Sequence, residues 1–482
     1  MMPTTNTTAA LRTQLAELER AISLQQQHLA ELEASRDAVD AELKRVAAYD
    51  ILSLPNEITA QIFVHCLPLP WQPASQQLAP LLLYRVCQKW ADIASTTPDL
   101  WRSLTLDVSL WNQQDAASLF KTWFVGAGNG SRRLSLTEGI AAHDGAEVFM
   151  SIFRSWSPRV THLTLGPGFD RETCALFTGL DMPELEELRI RPCEWLEARG
   201  MISNAPKLRK VVVESFDLAV LTIPWSQITE FHCDEVFMSH VLAVLQLLPN
   251  VEHFEARVVD EEEVTRPDDD EPIVFHPKIK WLRVQDEQRK ALQVHLLQFL
   301  TLPALERLDT DALLERNFDD FLGRSKSDAR LTSLCFSSKQ HPTLYIDVLG
   351  YLTHLVDLTL RFPSWAIWSE LLPPLSIDET FLPCLEKLAI ECQEVDGAYH
   401  LRLETIVESL PAAVKARNAL ADVRRGTSSL RTMKALKLAM VFFHPWVELR
   451  LPDKLLTLWR ELKEDGLDVY VGDDEKNLLA SI

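Results

Sequence analysis

A short apolar pattern recurs along the chain from residue 160 onward, and it constrains the fold more than any other feature. The pattern is φ-x-x-φ-x-φ, where φ is apolar, and a proline often precedes it, as in Pro183-Glu184-Leu185. Its first apolar residue stands at positions 160, 185, 208, 228, 251, 279, 305, 331, 355, 385 and 433. Nine of the ten steps are 20 to 30 residues long, the length of a strand with its return. The last step, of 48 residues, has room for an inserted helix at 403–416.

The final φ-x-φ of each copy predicts a β-strand with two apolar side chains on one face and the intervening residue on the other. Stacked copies would form a parallel sheet with a continuous core, because no single copy can bury its apolar side alone. The predicted fold class for residues 106–482 is an α/β solenoid, an irregular leucine-rich-repeat horseshoe. The positions that would line its concave face are Glu187, Arg189, Lys210, Val212, Glu230, His232, His253, Glu255, Trp281, Arg283, Arg307, Asp309, Ser333, Cys335, Asp357, Thr359, Lys387 and Ala389.

These concave positions carry a mixture of charged, polar and aromatic residues, which suits the recognition of a protein. Trp281 lies close to Arg283, and tryptophan and arginine are enriched among the residues that dominate binding energy. The simpler interpretation is that Trp281 covers neighbouring aliphatic side chains. The predicted target-binding residues are Arg189, His232, His253, Trp281, Arg283 and Arg307.

Residues 11–46 carry apolar side chains at alternating steps of four and three, without proline or glycine, as on one side of a helix. Nine of the eleven positions on this seam are apolar, and Gln25 and Arg36 are the two exceptions. We expect residues 1–10 to be disordered and residues 11–48 to form a coiled-coil helix. The seam predicts a homodimer through residues 11–46, and the alternative is a single amphipathic helix that packs on its own chain.

A small helical module is predicted at residues 50–105. Pro55 suits the first turn of a helix, where its missing N–H costs nothing, and Ile58, Ile62 and Phe63 follow at helical spacing. A proline-rich link leads to a second helix predicted at 81–94. A module of this size cannot bury all its apolar side chains within itself, so part of them predicts a surface for a partner.

This segment resembles the F-box family, and most of all the fungal group with a short N-terminal coiled coil and divergent leucine-rich repeats. The resemblance rests on Leu54-Pro55-Asn56-Glu57-Ile58, Ile62-Phe63, Val86-Cys87-Gln88-Lys89-Trp90 with Ile93, and Pro98-Asp99-Leu100-Trp101. It implies a module that binds a Skp-type adaptor and, through it, a cullin. The residues that would enter or border the adaptor interface are Leu54, Pro55, Ile58, Ile62, Phe63, Val86, Cys87 and Trp90.

The charge balance argues against nucleic acid as a partner. The formal net charge is −21, whereas affinity for nucleic acid comes largely from cations that neutralise phosphates. The densest basic cluster, Lys415, Arg417, Arg424 and Arg425, has no interleaved aromatic residue and predicts a solvated loop. The acidic runs 260–263 and 268–271 predict an exposed loop and lack the spaced ligands of a calcium site.

Catalytic and cofactor chemistry finds little support in the sequence. No P-loop, dinucleotide-binding, nucleophile-elbow or zinc-protease motif occurs, so we expect no enzyme activity, cofactor or metal. His232 and Cys233 would point to opposite faces of a strand and could not act as a catalytic pair. The eight cysteines show no C-x-x-C spacing, and neither a signal peptide nor a membrane span is predicted. We therefore expect a cytoplasmic or nuclear protein without a membrane partner.

The resemblance implies a substrate-recognition subunit of a Skp–cullin–F-box ubiquitin ligase. Such a subunit docks the adaptor through the F-box and holds a target protein, here of unknown identity, through the repeats. The alternative is a non-catalytic interaction scaffold that uses the coiled coil and the repeats without any role in a ligase.

Overall fold

The computed structural model describes twenty stretches of the chain, which divide into two compact units. The units are Met1–Leu69 with Ser75–Leu100, and Pro70–Ala74 with Trp101–Ile482. The described residues are 5–46, 51–70, 72–107, 113–126, 128, 132–137, 145–166, 177–191, 202–214, 223–259, 273–286, 296–310, 315–337, 345–361, 365–393, 400–424, 426, 428–441, 453–473 and 477–479.

The first unit begins with the long helix α1, Thr5–Val46. It starts inside the segment 1–10 for which we predicted disorder, because Ala9 and Ala10 are strong helix formers that extend the helix toward the N-terminus. Along the seam, the exposed fractions of the apolar side chains lie between 54% and 65%. The described part of the chain therefore leaves the seam uncovered at Leu11, Leu15, Leu18, Ile22, Leu29, Leu32, Val39 and Leu43.

Three short helices form the module that follows. They are α2, Asn56–His65, α3, Leu83–Val86, and α4, Gln88–Thr96, with 3-10 turns at Ile51–Ser53 and Pro98–Trp101. The single helix predicted at 81–94 is divided at Cys87, whose backbone is extended with φ −162° and ψ 166°. Cys87 is the N-cap of α4, and its carbonyl accepts the N–H of Ala91 at 3.0 Å.

Phe63 is the centre of the module's core. Its side chain is 2% exposed, and its ring lies 4.9 Å from the ring of Trp90, so it joins α2 to α4. Leu83 and Ile93 are each 4% exposed. The hydroxyl of Thr59 also donates to the carbonyl of Pro55 at 3.1 Å in the first turn of α2. The apolar face that α2 gives to its own module is therefore the one that carries Phe63.

The second unit is built on a parallel sheet of fourteen strands, which follow one another in chain order. Two further pairs, β4 with β6 and β10 with β12, form separate two-stranded sheets. The strands are β1 Ser103–Asp107, β2 Arg133–Thr137, β3 His162–Leu165, β4 Leu180–Asp181, β5 Glu187–Ile190, β6 Ile202–Asn204, β7 Lys210–Glu214, β8 Glu230–Val236, β9 His253–Val258, β10 Val274–Phe275, β11 Trp281–Asp286, β12 Leu300–Thr301, β13 Arg307–Thr310, β14 Ser333–Ser337, β15 Asp357–Arg361, β16 Lys387–Gln393, β17 Ala435–Val441 and β18 Asp468–Asp473.

Each of the eleven predicted φ-x-φ segments lies in a strand of this sheet, and both of its φ positions are buried. Ten segments have two apolar residues at these positions, whereas the copy that starts at 305 has Leu308 and the buried Thr310. Neighbouring copies pair in register, so that Val211, Phe231, Phe254 and Leu282 follow one another across four strands. The rings of Phe231 and Phe254 stack with centroids 5.9 Å apart and planes 14° apart. Strands β1, β2 and β18 join the sheet in addition to the predicted copies.

Helices cover part of the chain between the strands. They are α5 Gln113–Gly126, α6 Gly145–Trp156, α7 Met238–Leu247, α8 Glu315–Ser325, α9 Tyr345–Tyr351, α10 Trp365–Ile377, α11 His400–Val423 and α12 Asp453–Glu464. Helix α11 confirms the helix predicted at 403–416.

The predicted basic loop belongs largely to α11. Arg417 is fully buried, and its guanidinium donates to the carbonyls of Phe381 and Leu382 at 3.2 and 2.5 Å. Lys415 forms an ion pair with Glu461 at 2.8 Å. The prediction of a loop is wrong for these two residues, since both lie in a helix. Lys415 is solvated as predicted, whereas Arg417 is buried because its guanidinium satisfies two carbonyl groups. Residue 425 lies outside the described residues.

Short segments lie against the first and the last strand of the sheet. Beside β1, the N–H of Ala74 donates to the carbonyl of Thr105 at 2.8 Å, and the hydroxyl of Thr105 donates to the carbonyl of Pro70 at 2.7 Å. Beside β18, Asn477 forms an antiparallel bridge with Gly472, and the N–H of the next residue donates to Val471 at 2.8 Å. Both edge strands thus have hydrogen-bond partners of their own.

We expect Phe63→Ala to destabilise the module by about 3–5 kcal/mol, because it removes a buried ring and leaves a cavity. Ile58→Ala is the matched control on the same helix, since the Ile58 side chain is 49% exposed, and should cost less than about 1 kcal/mol. Hydrogen exchange of the amides in α2 and α4 measures both effects. Equal protection in the two variants would contradict the assignment of Phe63 to the core.

Candidate protein-binding surfaces

Helix α2 presents two different apolar faces. Phe63 points into the module, whereas Ile58 and Ile62, one turn apart, are 49% and 39% exposed. Pro55, one turn before Ile58, is exposed as well. A helix with an apolar side left in water is unusual for a structural element, so this exposed side is a candidate surface for a partner.

Further apolar side chains of the module are exposed outside α2. Val86, at the end of α3, is 51% exposed, and Ile51 and Leu52 in the first 3-10 turn are 47% and 45% exposed. We call the following residues the exposed apolar set: Ile51, Leu52, Ile58, Ile62, Leu82, Tyr84 and Val86. Ile51, Leu52, Leu82 and Tyr84 are absent from the predicted interface, because periodicity alone does not separate exposed apolar positions from buried ones.

The eight residues predicted to enter or border the adaptor interface divide into three groups. Pro55, Ile58, Ile62 and Val86 are exposed, and Leu54, Cys87 and Trp90 are half-buried. Phe63 is buried, and we remove it from the candidate interface because its ring is already in contact with Trp90. The indole Nε1 of Trp90 is buried and has no hydrogen-bond partner among the described residues.

A second candidate surface is the polar face of the fourteen-stranded sheet, which carries the eighteen positions predicted to be concave. Each of them is half-buried or exposed, whereas the flanking apolar residues are buried. The six predicted target-binding residues all lie on this face, between β5 and β13. His253, Trp281 and Arg307 are direct neighbours in the register of β9, β11 and β13.

Ion pairs connect neighbouring strands along this polar face. Arg283 contacts Glu255 at 3.3 Å on one side and Asp309 at 3.2 Å on the other. Arg361 then contacts the same oxygen of Asp309 at 2.5 Å, and its Nε lies 3.5 Å from Glu391. Arg361 and Glu391 were not among the predicted positions. Each lies two residues after a predicted one, Thr359 or Ala389, and therefore on the same face of its strand.

His232 lies at the end of this row. Its Nδ1 lies 3.0 Å from Glu255. The hydrogen bond with His232, followed by the positive charge of Arg283, holds the pKa of Glu255 below its ordinary value against the opposing effect of burial. Glu255 therefore remains charged at neutral pH, and the row alternates negative and positive groups from β9 to β16.

An aromatic site lies beside this row. The rings of His253 and Trp281 meet edge to face with centroids 5.6 Å apart, and His253 is 3.9 Å from Glu230. Trp281 is half-buried, so part of its ring remains open to a partner. A partially open tryptophan next to an arginine has the chemistry of a binding hot spot.

Cys233 and Cys335 lack the surroundings that activate a thiol as a nucleophile. Cys233 points into the core, opposite to His232, and burial raises the pKa of its thiol. Cys335 lies on the polar face, where burial and then the charge of Asp309 raise its pKa to about 12. Both thiols are protonated at neutral pH and are therefore poor nucleophiles.

The described stretches contain neither a candidate metal-binding cluster nor a candidate membrane-spanning helix. Those residues contain no group of three or more histidine, cysteine, aspartate or glutamate side chains that could hold a metal ion. None of the described helices is both long and apolar enough to cross a membrane. The acidic runs 260–263 and 268–271 lie outside the described residues.

Comparison with known proteins identifies the module. Residues 51–107 match the family model described as F-box-like. The match spans the exposed apolar set, the core around Phe63 and strand β1. No curated protein matches the chain. The chain thus carries an F-box-like domain at residues 51–107, which suggests a role as an F-box adaptor in ligase complexes of the Skp–cullin–F-box type.

Proposed function

We propose that this chain is the target-recognition subunit of a Skp–cullin–F-box ubiquitin ligase. The observation that carries the proposal is the exposure of Ile58, Ile62 and Val86 within a segment that matches the F-box-like family. Covering half-exposed side chains of this size would contribute about 1 kcal/mol each. Catalysis would take place on partner proteins, and this chain would hold a target close to the conjugating enzyme.

The adaptor-binding surface in this proposal consists of the exposed apolar set with Pro55. Trp90, which is half-buried, borders this surface. The cullin would be reached through the adaptor. A cytoplasmic or nuclear location fits this role, and the six described cysteines are all free thiols, as in a reducing compartment. The assignment to the fungal group stays a prediction.

We expect Ile58→Asp to weaken capture of a Skp-type adaptor by more than about 100-fold, because it buries an unpaired carboxylate in an apolar contact. Ile377→Asp is the matched control, since it makes the same change at an isoleucine of the second unit that is 77% exposed. Co-purification with the adaptor measures both variants, and the double variant Leu54→Ala with Pro55→Ala tests the start of α2. Undiminished capture by Ile58→Asp would exclude this docking surface.

For the second unit, we propose a divergent leucine-rich-repeat solenoid that binds the target. Three features support this assignment: the strands are parallel and follow chain order, the eleven predicted copies mostly recur every 20 to 30 residues, and both φ positions of each φ-x-φ segment are buried. The polar face offers charges of both signs with Trp281 among them. Such a face suits a protein segment with mixed charge better than a phosphate-rich ligand.

We expect Trp281→Ala to abolish labelling of the target while adaptor capture is retained. The exposed part of the tryptophan ring would contribute a large share of the binding free energy when a partner covers it. Lys437→Ala, a truncation on the same face at β17, is the control. Proximity labelling with the wild type, Trp281→Ala and Ile58→Asp separates the two partners. A target is labelled by the wild type and by Ile58→Asp and lost with Trp281→Ala. An identical labelling pattern for the wild type and Trp281→Ala would contradict the assignment.

An interaction scaffold without a ligase role is the second candidate, and the exposed seam of α1 is the observation that favours it. A scaffold would also use α1 and the polar face, so both candidates include a contact between two copies of the chain. We propose that this contact is a coiled coil formed by α1. The two candidate functions differ in one observable. Only a ligase subunit would co-purify with cullin and ubiquitin in addition to the adaptor, and Ile58→Asp would lose all three.

We expect deletion of residues 1–47 to convert a dimer into a monomer, because the eight described apolar positions of the seam are removed together. Sedimentation equilibrium of the full chain and the shortened chain measures the change. If the full chain and the shortened chain contain the same number of copies per particle, dimerisation through α1 is excluded.

A further inference from the structure

The two polar positions of the α1 seam determine whether two copies of the helix pair better in the parallel or in the antiparallel orientation. Gln25 and Arg36 interrupt the seam, and both are exposed. In a parallel pair in register, each seam residue meets its own copy. Arg36 would then face the partner's Arg36, and like charges in one layer repel. Gln25 would face Gln25 in a separate polar layer.

An antiparallel pair removes this conflict. If Gln25 faces the partner's Arg36, the two polar positions share a layer, and the amide oxygen of Gln25 can accept from the guanidinium. In this register the numbers of facing residues add up to 61, so Ile22 faces the partner's Val39, Leu29 faces Leu32 and Leu18 faces Leu43. All the other facing pairs within the described seam are apolar.

We propose that two copies of this chain associate through α1 as an antiparallel coiled coil in which Gln25 of each copy faces Arg36 of the other. The proposal rests on the coiled-coil contact of the proposed function and adds its direction and register. In the isolated chain the Arg36 guanidinium donates to the adjacent Asp37 at 2.7 Å. That pair lies between sequence neighbours and is largely exposed, so Arg36 loses little interaction energy when it turns toward the partner.

The flanks of the helix are less favourable than the seam. Glu19 lies beside the seam near the partner's Asp40, which brings two acidic side chains to the edge of the coil. Both side chains are exposed, and salt at physiological strength screens charges of this kind. The cost is smaller than that of two arginines within the seam, where water is excluded.

The direction of the helices decides where the two F-box-like domains are. Each domain follows the C-terminal end of its own α1. In the antiparallel register residue 46 of one copy lies opposite residue 15 of the other, so the two helix ends are about 45 Å apart along the coil. Each module would bind its own adaptor at a separate end of the dimer, whereas a parallel pair would bring the two modules side by side.

A single charge change distinguishes the two directions by the sign of its effect. In the antiparallel dimer, Gln25→Glu creates two ion pairs, each between a new carboxylate and the partner's Arg36, and we expect the dissociation constant of the full-length dimer to fall roughly three- to tenfold. In a parallel dimer the same variant places two carboxylates opposite each other and weakens association. Gln27→Glu, with the same charge on the outer side of α1, is the matched control and should change the constant less than about twofold.

Cysteine pairs locate the register directly. After oxidation, a mixture of full-length Ile22→Cys and Val39→Cys should form disulfide-linked heterodimers, because these positions face each other in the antiparallel pair, whereas neither variant alone should link through its new cysteine. Wild-type chain shows the background from the exposed Cys66, and mass spectrometry of the linked peptides assigns the bridge. Homodimers linked through residue 22 alone, or weaker association of Gln25→Glu, would overturn the direction. A monomer at all concentrations would overturn the coiled coil itself, and adaptor capture measured on the same samples tests the ligase role separately.

Discussion

The sheet of the second unit exists because each strand carries apolar side chains that only its neighbours can cover. A strand of four residues, such as Glu187–Ile190, buries Leu188 and Ile190 only when another strand stands on each side. The same dependence passes from strand to strand through all fourteen. Stability of this kind is a sum of nearest-neighbour contacts, so the apolar positions are restricted while the residues between them are free to vary. That freedom is what makes the opposite face available for recognition.

The F-box-like domain follows the contrary rule. It is too small to bury all its apolar residues. In α2, Phe63 packs against Trp90 in the core, while Ile58 and Ile62 remain exposed to water. Truncation of the buried ring would damage the domain itself, whereas a charge on the exposed side would leave the core intact. The buried and the exposed apolar residues thus lie on different sides of one ten-residue helix.

Much of the fold could be predicted from the sequence, because the information is periodic. The φ-x-φ copies located eleven strands, and the alternation assigned Trp281 and Arg283 to the polar face. Three kinds of feature escaped. Strands β1, β2 and β18 were not among the predicted copies, although Leu104-Thr105-Leu106, Leu134-Ser135-Leu136 and Val469-Tyr470-Val471 each have the φ-x-φ form. The break at Cys87 depends on how α3 and α4 pack rather than on a helix-breaking residue. The burial of Phe63 and Arg417 depends on contacts with residues distant in the chain, to which local patterns are insensitive.

The short segments beside β1 and β18 have a consequence for how this protein can change its length. Ala74 and Thr105 share a hydrogen bond at the first strand, and the residue after Asn477 reaches Val471 at the last. With both termini of the sheet occupied, an extra unit cannot simply be appended, since it would have to displace a segment already in place. A unit added between β1 and β18 would lengthen the polar face and leave both terminal closures in place.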